Sequence, residues 1–244
     1  MSKPKLIDVY ELPAVDNVCN QVLREVISLQ NVSLAHVIMH AGNVSLWHQH
    51  ARMSEIYFIL DGEGIVYHGN KGMRVEKGAY LVLPPSTPHM VRNTGTSDLE
   101  HLVLAIPPFA AEDVELLDVP TEDSAPEQFM YVQSPITALD GALIYELMTA
   151  EERKRLDVAL AVGVLPQHRK AIPHYHADSE ELYYVIDGRG KVRVGEQTFA
   201  VKRGSVIYVP TNTVHALENG SAAEELAILC VSSPAYAEGD FILA

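Results

Sequence analysis

The stretch GNVSLWHQHARMSEIYFILDGEG, residues 42–64, decides how this chain is built, because its pattern returns 126 residues later as HRKAIPHYHADSEELYYVIDGRG, residues 168–190. His48, His50, Glu55 and Gly62 of the first copy become His174, His176, Glu181 and Gly188 of the second. The correspondence runs on without insertion or deletion: Gly78, Pro84, His89 and Asn93 match Gly204, Pro210, His215 and Asn219. A fixed offset sustained over about fifty residues marks a duplicated structural unit. The repeated positions are metal-ligand residue types set among turn residues, so the duplication carries a site as well as a scaffold.

Around the repeat the apolar runs are short and separated by turn residues. Val32–Met39 and Glu55–Leu60 read as strands, and Asp61-Gly62 closes a tight hairpin. Ile65–His68, Met73–Val75 and Tyr80–Leu83 follow at roughly ten-residue spacing, until Pro84-Pro85 ends the pairing. The second half reads the same way through Leu143–Leu147, Leu156–Leu165, Leu182–Ile186, Lys191–Val194, Ser205–Val209 and a last strand over Glu224–Val231. One departure is Thr149-Ala150-Glu151-Glu152, a capping box opening a short helix through Arg153-Lys154-Arg155. The expected class is all-β, two sandwiches or barrels in tandem. Residues 1–108 form the first domain, 109–128 a linker and 129–244 the second. The linker region carries Glu112, Asp113, Glu115, Asp118, Glu122, Asp123 and Glu127 with no Lys or Arg, and reads as a solvated connector with a brief helical turn.

Composition narrows the partners. A net charge of -14 argues against nucleic acid, since phosphate binding needs a basic face. No apolar run approaches the roughly 20 residues of a membrane span. Lys3 and Lys5 are followed by Asp8 and Glu11 rather than by an apolar leader, so a cytoplasmic protein is expected. The two cysteines, Cys19 and Cys230, lie one in each half and read as free thiols of a reduced compartment. There is no Ser-His-Asp arrangement, phosphate-cradling loop or Cys-x-x-Cys pair.

Alternation along a strand points His48 and His50 one way, and likewise His174 and His176, so each pair bites one ion with neutral nitrogens. Glu55 is an odd number of residues beyond His50, so the Ala51–Ser54 segment must turn or bulge to bring it from a neighbouring strand to the same ion. His89, after the proline loop, completes the set, and His215 completes the second. Glu180 precedes Glu181, but the shared offset selects Glu181. Three imidazoles and one carboxylate suit a divalent transition metal (Fe, Mn, Ni, Cu, Co or Zn) rather than Ca or Mg, up to one ion per domain. An octahedral ion so held keeps two adjacent positions for water, dioxygen or a chelating substrate. Tyr57 and Tyr183 share the face of Glu55 and Glu181; they are candidate catalytic groups as hydrogen-bond donors or acid–base residues, and equally consistent with packing. Trp47 should face outward. Arg52, Arg169 and Lys170 stand near the rims and read as solvated charges, with steering of an anionic substrate as the alternative, and His36, His40, His68, His101 and His168 fall outside the pattern.

These motifs, His48-x-His50-x4-Glu55-x6-Gly62 with Gly78-x5-Pro84-x4-His89-x3-Asn93 and their second copies, resemble the cupin superfamily. Gly42, which opens the first motif, has His168 as its counterpart. The resemblance covers both halves and implies a bicupin: two tandem antiparallel jelly-roll barrels, each with a metal in its mouth. With the ligand set it points to a metal-dependent enzyme acting on a small oxygenated, anionic organic molecule. Oxygenase or dioxygenase chemistry is ranked first because an ion with neighbouring vacancies can hold substrate and dioxygen together, the barrel itself hosting many chemistries. The alternatives are a redox-neutral sugar or uronate isomerase, decarboxylase or hydrolase, and a non-catalytic metal- or ligand-binding bicupin. Exposed barrel edges and the family together make a homodimer plausible.

Overall fold

The computed structural model describes residues 3–69, 71–118, 127–128, 134–237 and 239–244. Its contacts divide the chain into one unit of residues 12–132 and another of residues 133–244 together with residues 1–11. Each unit is a pair of sheets closed over an apolar core, antiparallel but for the parallel pairing of Glu127–Gln128 with Lys71–Glu76, and these are the two tandem jelly-roll barrels expected from the repeat.

In the 12–132 unit one sheet runs, in spatial order, Val15–Asp16, Val22–Ser28, Ser33–Met39, Leu99–Ile106, Ser54–Asp61 and Tyr80–Leu83. The other runs Val114–Leu116, His48–His50, His89–Asn93, Glu63–His68, Lys71–Glu76 and Glu127–Gln128. Val37, Tyr57, Ile59 and Leu81 of the first sheet and Val66, Val75 and Val91 of the second are buried together, as strand alternation requires of an inner face. The second unit repeats the plan. Lys5–Asp8, Ser205–Val209, Glu180–Asp187, Leu226–Ser233, Ala159–Leu165, Leu143–Glu146 and Ile136–Thr137 form one sheet. Gln197–Lys202, Arg189–Val194, His215–Glu218, His174–His176 and Phe241–Leu243 form the other. The repeated hairpin glycines have a steric cause: Gly62 and Gly188 lie at φ +81° and +79°, and a Cβ there would sit 2.3 Å and 2.1 Å from the carbonyl oxygens of Asp98 and Glu225.

Several details differ from the sequence reading. Residues 1–11 lend Lys5–Asp8 to the sheet of the second unit, pairing Ile7 with Val206, although their position in the chain assigned them to the first domain. The acidic connector holds a brief helical turn as expected, the 3₁₀ turn Ala111–Asp113, but Val114–Leu116 pairs with His48–His50 and Asp113 is buried rather than solvated. Glu122 and Asp123 lie outside the described residues. The helix spans Ala150–Leu156 with both halves of the Thr149–Glu152 capping box in place, so it takes Leu156 from the strand expected to start there. Trp47 is 6% exposed, buried rather than outward, and its carbonyl accepts Leu117 N at 2.9 Å. Both cysteines are free. Among the described residues no helix is long and apolar enough to cross a membrane.

Candidate metal centres

Each barrel brings its three histidines and one glutamate together. The ligand atoms of His48, His50, Glu55 and His89 all lie within 4.8 Å of one another, and so do those of His174, His176, Glu181 and His215. All eight side chains are buried. His48 and His89 are direct cross-strand partners, as are His174 and His215, and in both barrels their ring centroids are 4.2 Å apart. Glu55 and Glu181 arrive from the opposite sheet rather than from a neighbouring strand, because residues 51–54 and 177–180 carry the chain across from one sheet to the other. Glu180, the other carboxylate at that point, accepts the Tyr208 hydroxyl at 2.6 Å and is outside the cluster.

The imidazoles are set to give lone pairs inward. His48 and His89 each place Nδ1 at 2.8 Å from the carbonyl two residues earlier, Leu46 and Thr87. His174 and His215 repeat this with Ile172 at 3.1 Å and Thr213 at 2.9 Å. A carbonyl only accepts, so each Nδ1 carries the proton and Nε2 is left as the donor to a cation. Burial first, then the neighbouring His89 or His215, pushes His48 and His174 down to about 4, so both are neutral and ready to ligate. Burial by itself would raise the carboxyls of Glu55 and Glu181; the imidazoles of His50 and His89, and of His176 and His215, hold both far below the usual range.

The residues fit a metal ion on geometric grounds. His50 Nε2 is 3.4 Å from Glu55 Oε1 and His215 Nε2 is 3.2 Å from Glu181 Oε2, yet neither nitrogen makes a hydrogen bond of acceptable direction. His89 Nε2 does meet Glu55 Oε2, at 3.2 Å, so each cluster keeps one buried imidazole Nε2 without a partner beside a carboxylate, which a cation between them would satisfy.

Three further groups shape the sites and were not singled out in the sequence. Asp113 accepts the backbone N–H groups of Arg52 and Met53 and the Arg52 Nε, pinning the crossing segment of the first barrel. Asp240 does the same in the second barrel through Asp178 N at 2.6 Å and the Ser179 hydroxyl, and also lies 3.3 Å from His176 Nδ1. Asp140 Oδ2 lies 3.8 Å from His174 Nδ1. The signal for the first two was a second repeat at an offset of 127, one residue out of step with the motif, within a run of acids.

The candidate tyrosines both sit beside the glutamates. Tyr183 Oη donates to Glu181 Oε2 at 2.8 Å, with Ser232 Oγ at 3.4 Å from Oε1. Burial, and after it the adjacent carboxylate, raises the hydroxyls of Tyr57 and Tyr183 well above the ordinary phenol value, so both stay protonated. Cavities reach both clusters: one of about 500 Å³ touches His48 and Glu55, and one of about 310 Å³ touches His174, His176 and Glu181. Arg169 and Lys170 are absent from the described lining of the second cavity, and Lys170 pairs with Glu218 at 3.1 Å on the surface.

Comparison with known proteins agrees with the fold and the repeat. Residues 35–105 and 161–232 match the Cupin domain family. The oxalate decarboxylase of Bacillus subtilis superposes with a TM-score of 0.71 over 95% of this chain and 77% of its own, at 17% identity, a likeness of fold; Mn(II) centres are described for that enzyme. An oxalate-binding protein of Thermotoga maritima is 36% identical over 59 residues, 24% of this chain and 49% of that protein. An uncharacterised protein of Methanocaldococcus jannaschii is 38% identical over 106 residues, 43% of this chain and 84% of its own.

Proposed function

Because the chain belongs to the cupin family, with one cupin domain in each half, we propose that it is a metal-dependent enzyme acting on a small carboxylate, with decarboxylation as the leading reaction. The observation that carries this reading is the pair of convergent three-histidine, one-glutamate clusters, each opening into a cavity of small-molecule size. The resemblance to an oxalate-binding protein and to the fold of an oxalate decarboxylase supports a carboxylate as the substrate class.

His48, His50, Glu55 and His89 would hold one ion, and His174, His176, Glu181 and His215 the other. A divalent ion held this way supplies Lewis-acid polarisation of substrate oxygens. The chain itself does the positioning. Asp113 and Asp240 fix the crossing segments so that the glutamates enter at a defined angle. Tyr183 keeps its proton on Oη, directed at Glu181, and is the nearest neutral donor to the carboxylate ligand. Leu165, Ala171 and Ile228 line the second cavity and limit water beside the reacting group. Loss of carbon dioxide leaves a carbanion equivalent that needs one proton, and a buried phenol beside the site is suited to deliver it.

Oxygenation is the second reading, because a three-histidine, one-glutamate donor set would also suit a redox-active ion such as Fe or Mn. One assay separates the two. Protein reconstituted with Mn or Fe is given oxalate and other small carboxylates, with and without dioxygen. Carbon dioxide release without oxygen uptake supports the decarboxylase; oxygen uptake in step with product supports the oxygenase. Absence of turnover with every metal and acid would sink both and favour a binding protein.

A further inference from the structure

The two barrels differ in the basic residues at their cavities, and that difference traces to a single insertion. Val15, Leu23 and Glu25 of the first barrel correspond in register to Ile136, Ile144 and Glu146 of the second, an offset of 121. Across the next strand, Ala35 and Val37 correspond to Ala161 and Gly163, an offset of 126. Five residues have therefore been added in the connection between these two strands. In the first barrel that connection is a tight turn, with Leu29 N donating to Val32 O at 2.9 Å. In the second it is the capped helix Ala150–Leu156.

The helix changes what lines the cavity. Glu25 and Glu146 are equivalent, and each lines the cavity of its barrel. Among the described residues lining the first cavity there is no Lys or Arg. The second cavity gains Arg153, the one Lys or Arg among its described lining residues, whose Nη1 is 3.0 Å from Glu146 Oε1. The Thr149 cap holds the first helical turn, Arg153 N donates to Thr149 O at 3.0 Å, and the guanidinium is thereby fixed with 26% of its side chain exposed. Asp140 also lines this cavity, but its Oδ1 accepts Ala142 N and its Oδ2 faces His174.

Resting on the carboxylate reading above, we propose that Arg153 anchors the substrate carboxylate, and that the second barrel is therefore the one that binds it. A guanidinium keeps donors to spare after one contact with Glu146, and its fork matches a carboxylate. The first cavity presents Asp16 and Glu25 with no lining cation to offset them, which disfavours an anion there.

The test is calorimetric titration of oxalate, then malonate and acetate, into Mn-loaded protein, with metal content and thermal unfolding measured for each variant. Arg153→Gln should weaken oxalate binding by 10- to 100-fold at unchanged metal content, Arg153→Lys should recover part of the loss, and Arg155→Gln, on the exposed side of the same helix, should bind as wild type does. Equal affinity for wild type and Arg153→Gln would overturn the anchor and leave the carboxylate reading standing. Equal losses in Arg153→Gln and Arg155→Gln would also overturn it, as a general charge effect. Wild-type protein that binds none of the three acids would overturn the carboxylate reading itself, and the anchor with it.

Discussion

His101 occupies the place that Ile228 holds in the second barrel, as the shared pairing with Ile59 and Val37 against Val185 and Gly163 shows. It is fully buried, neither ring nitrogen has a hydrogen-bond partner, and its ring centroid is 5.3 Å from that of Tyr57. Burial first, and the neighbouring His36 second, push it from 6.5 to about 4. Between those values the unfolded chain takes up a proton that the folded chain refuses, so folding stability falls as pH drops from about 6.5 towards 4. His101→Ile should remove its share of that slope, to which His48 and His174 also contribute, adding up to about 3 kcal/mol to stability near pH 4. Urea titrations of metal-free protein at several pH values read this directly, and parallel pH curves for variant and wild type would refute it. Tyr183 makes the other residue-scale claim. If its hydrogen bond orients Glu181, Tyr183→Phe should weaken metal binding in the second barrel by roughly tenfold or more. Chelator competition measures this, and unchanged affinity would leave Tyr183 as packing. The eight clustered residues were legible because chemistry fixed their types and the duplication fixed their spacing. His101 was not, because a single histidine on an apolar strand looks the same whether it faces solvent or core.

The helix Ala150–Leu156 is the clearest element read from sequence, and its capping box appears as both expected hydrogen bonds, Thr149 N to Glu152 Oε2 at 2.8 Å and Glu152 N to Thr149 Oγ1 at 3.2 Å. Seven residues are too few for a helix to hold itself in water, so the cap carries a large share of its order. Thr149→Ala should cost about 1 kcal/mol and speed amide exchange across the helix, with oxalate affinity falling alongside because Arg153 loses its fixed base. Unaltered exchange would mean that packing of Leu156 holds the helix without the cap. Legibility fails at the elements for a physical reason. The acids after Pro108 look solvated by composition, yet Asp113 is 4% exposed because the crossing segment of residues 51–54 offers it two backbone donors that need an acceptor. The closing strands Val114–Leu116 and Phe241–Leu243 were missed since three-residue pieces carry no periodicity, and each depends on pairing with a histidine strand.

At the scale of the molecule the duplication is complete in its two sites and broken at its start. Gly78 and Gly204 occupy equivalent turns at φ +88° and +82°, but a Cβ at Gly78 would meet nothing within 4 Å, while one at Gly204 would strike the Tyr10 ring at 2.3 Å. Val9 N donates to Gly204 O at 3.0 Å, Asp8 meets Lys202 at 3.0 Å, and Ile7 and Val9 are buried. The first residues of the chain thus close the sheet of the unit formed by its last residues. No local pattern could have revealed this, because the pairing partner lies almost a whole chain away and, among the described residues, no strand pairs with the outer side of Tyr80–Leu83 as Lys5–Asp8 pairs with Ser205–Val209. The consequence is separable. Val9→Ala removes fully buried methyl groups and should destabilise the second unit by about 2 kcal/mol. Hydrogen exchange should then quicken in Ser205–Val209 and leave the equivalent strand Tyr80–Leu83 of the first unit unchanged. Equal quickening in both strands would show that the two units unfold as one and that the opening strand stabilises the whole chain. Quickening in the second alone would mean that its metal site, reached through the Glu181 strand paired to Ser205–Val209, also loses its ion first on heating.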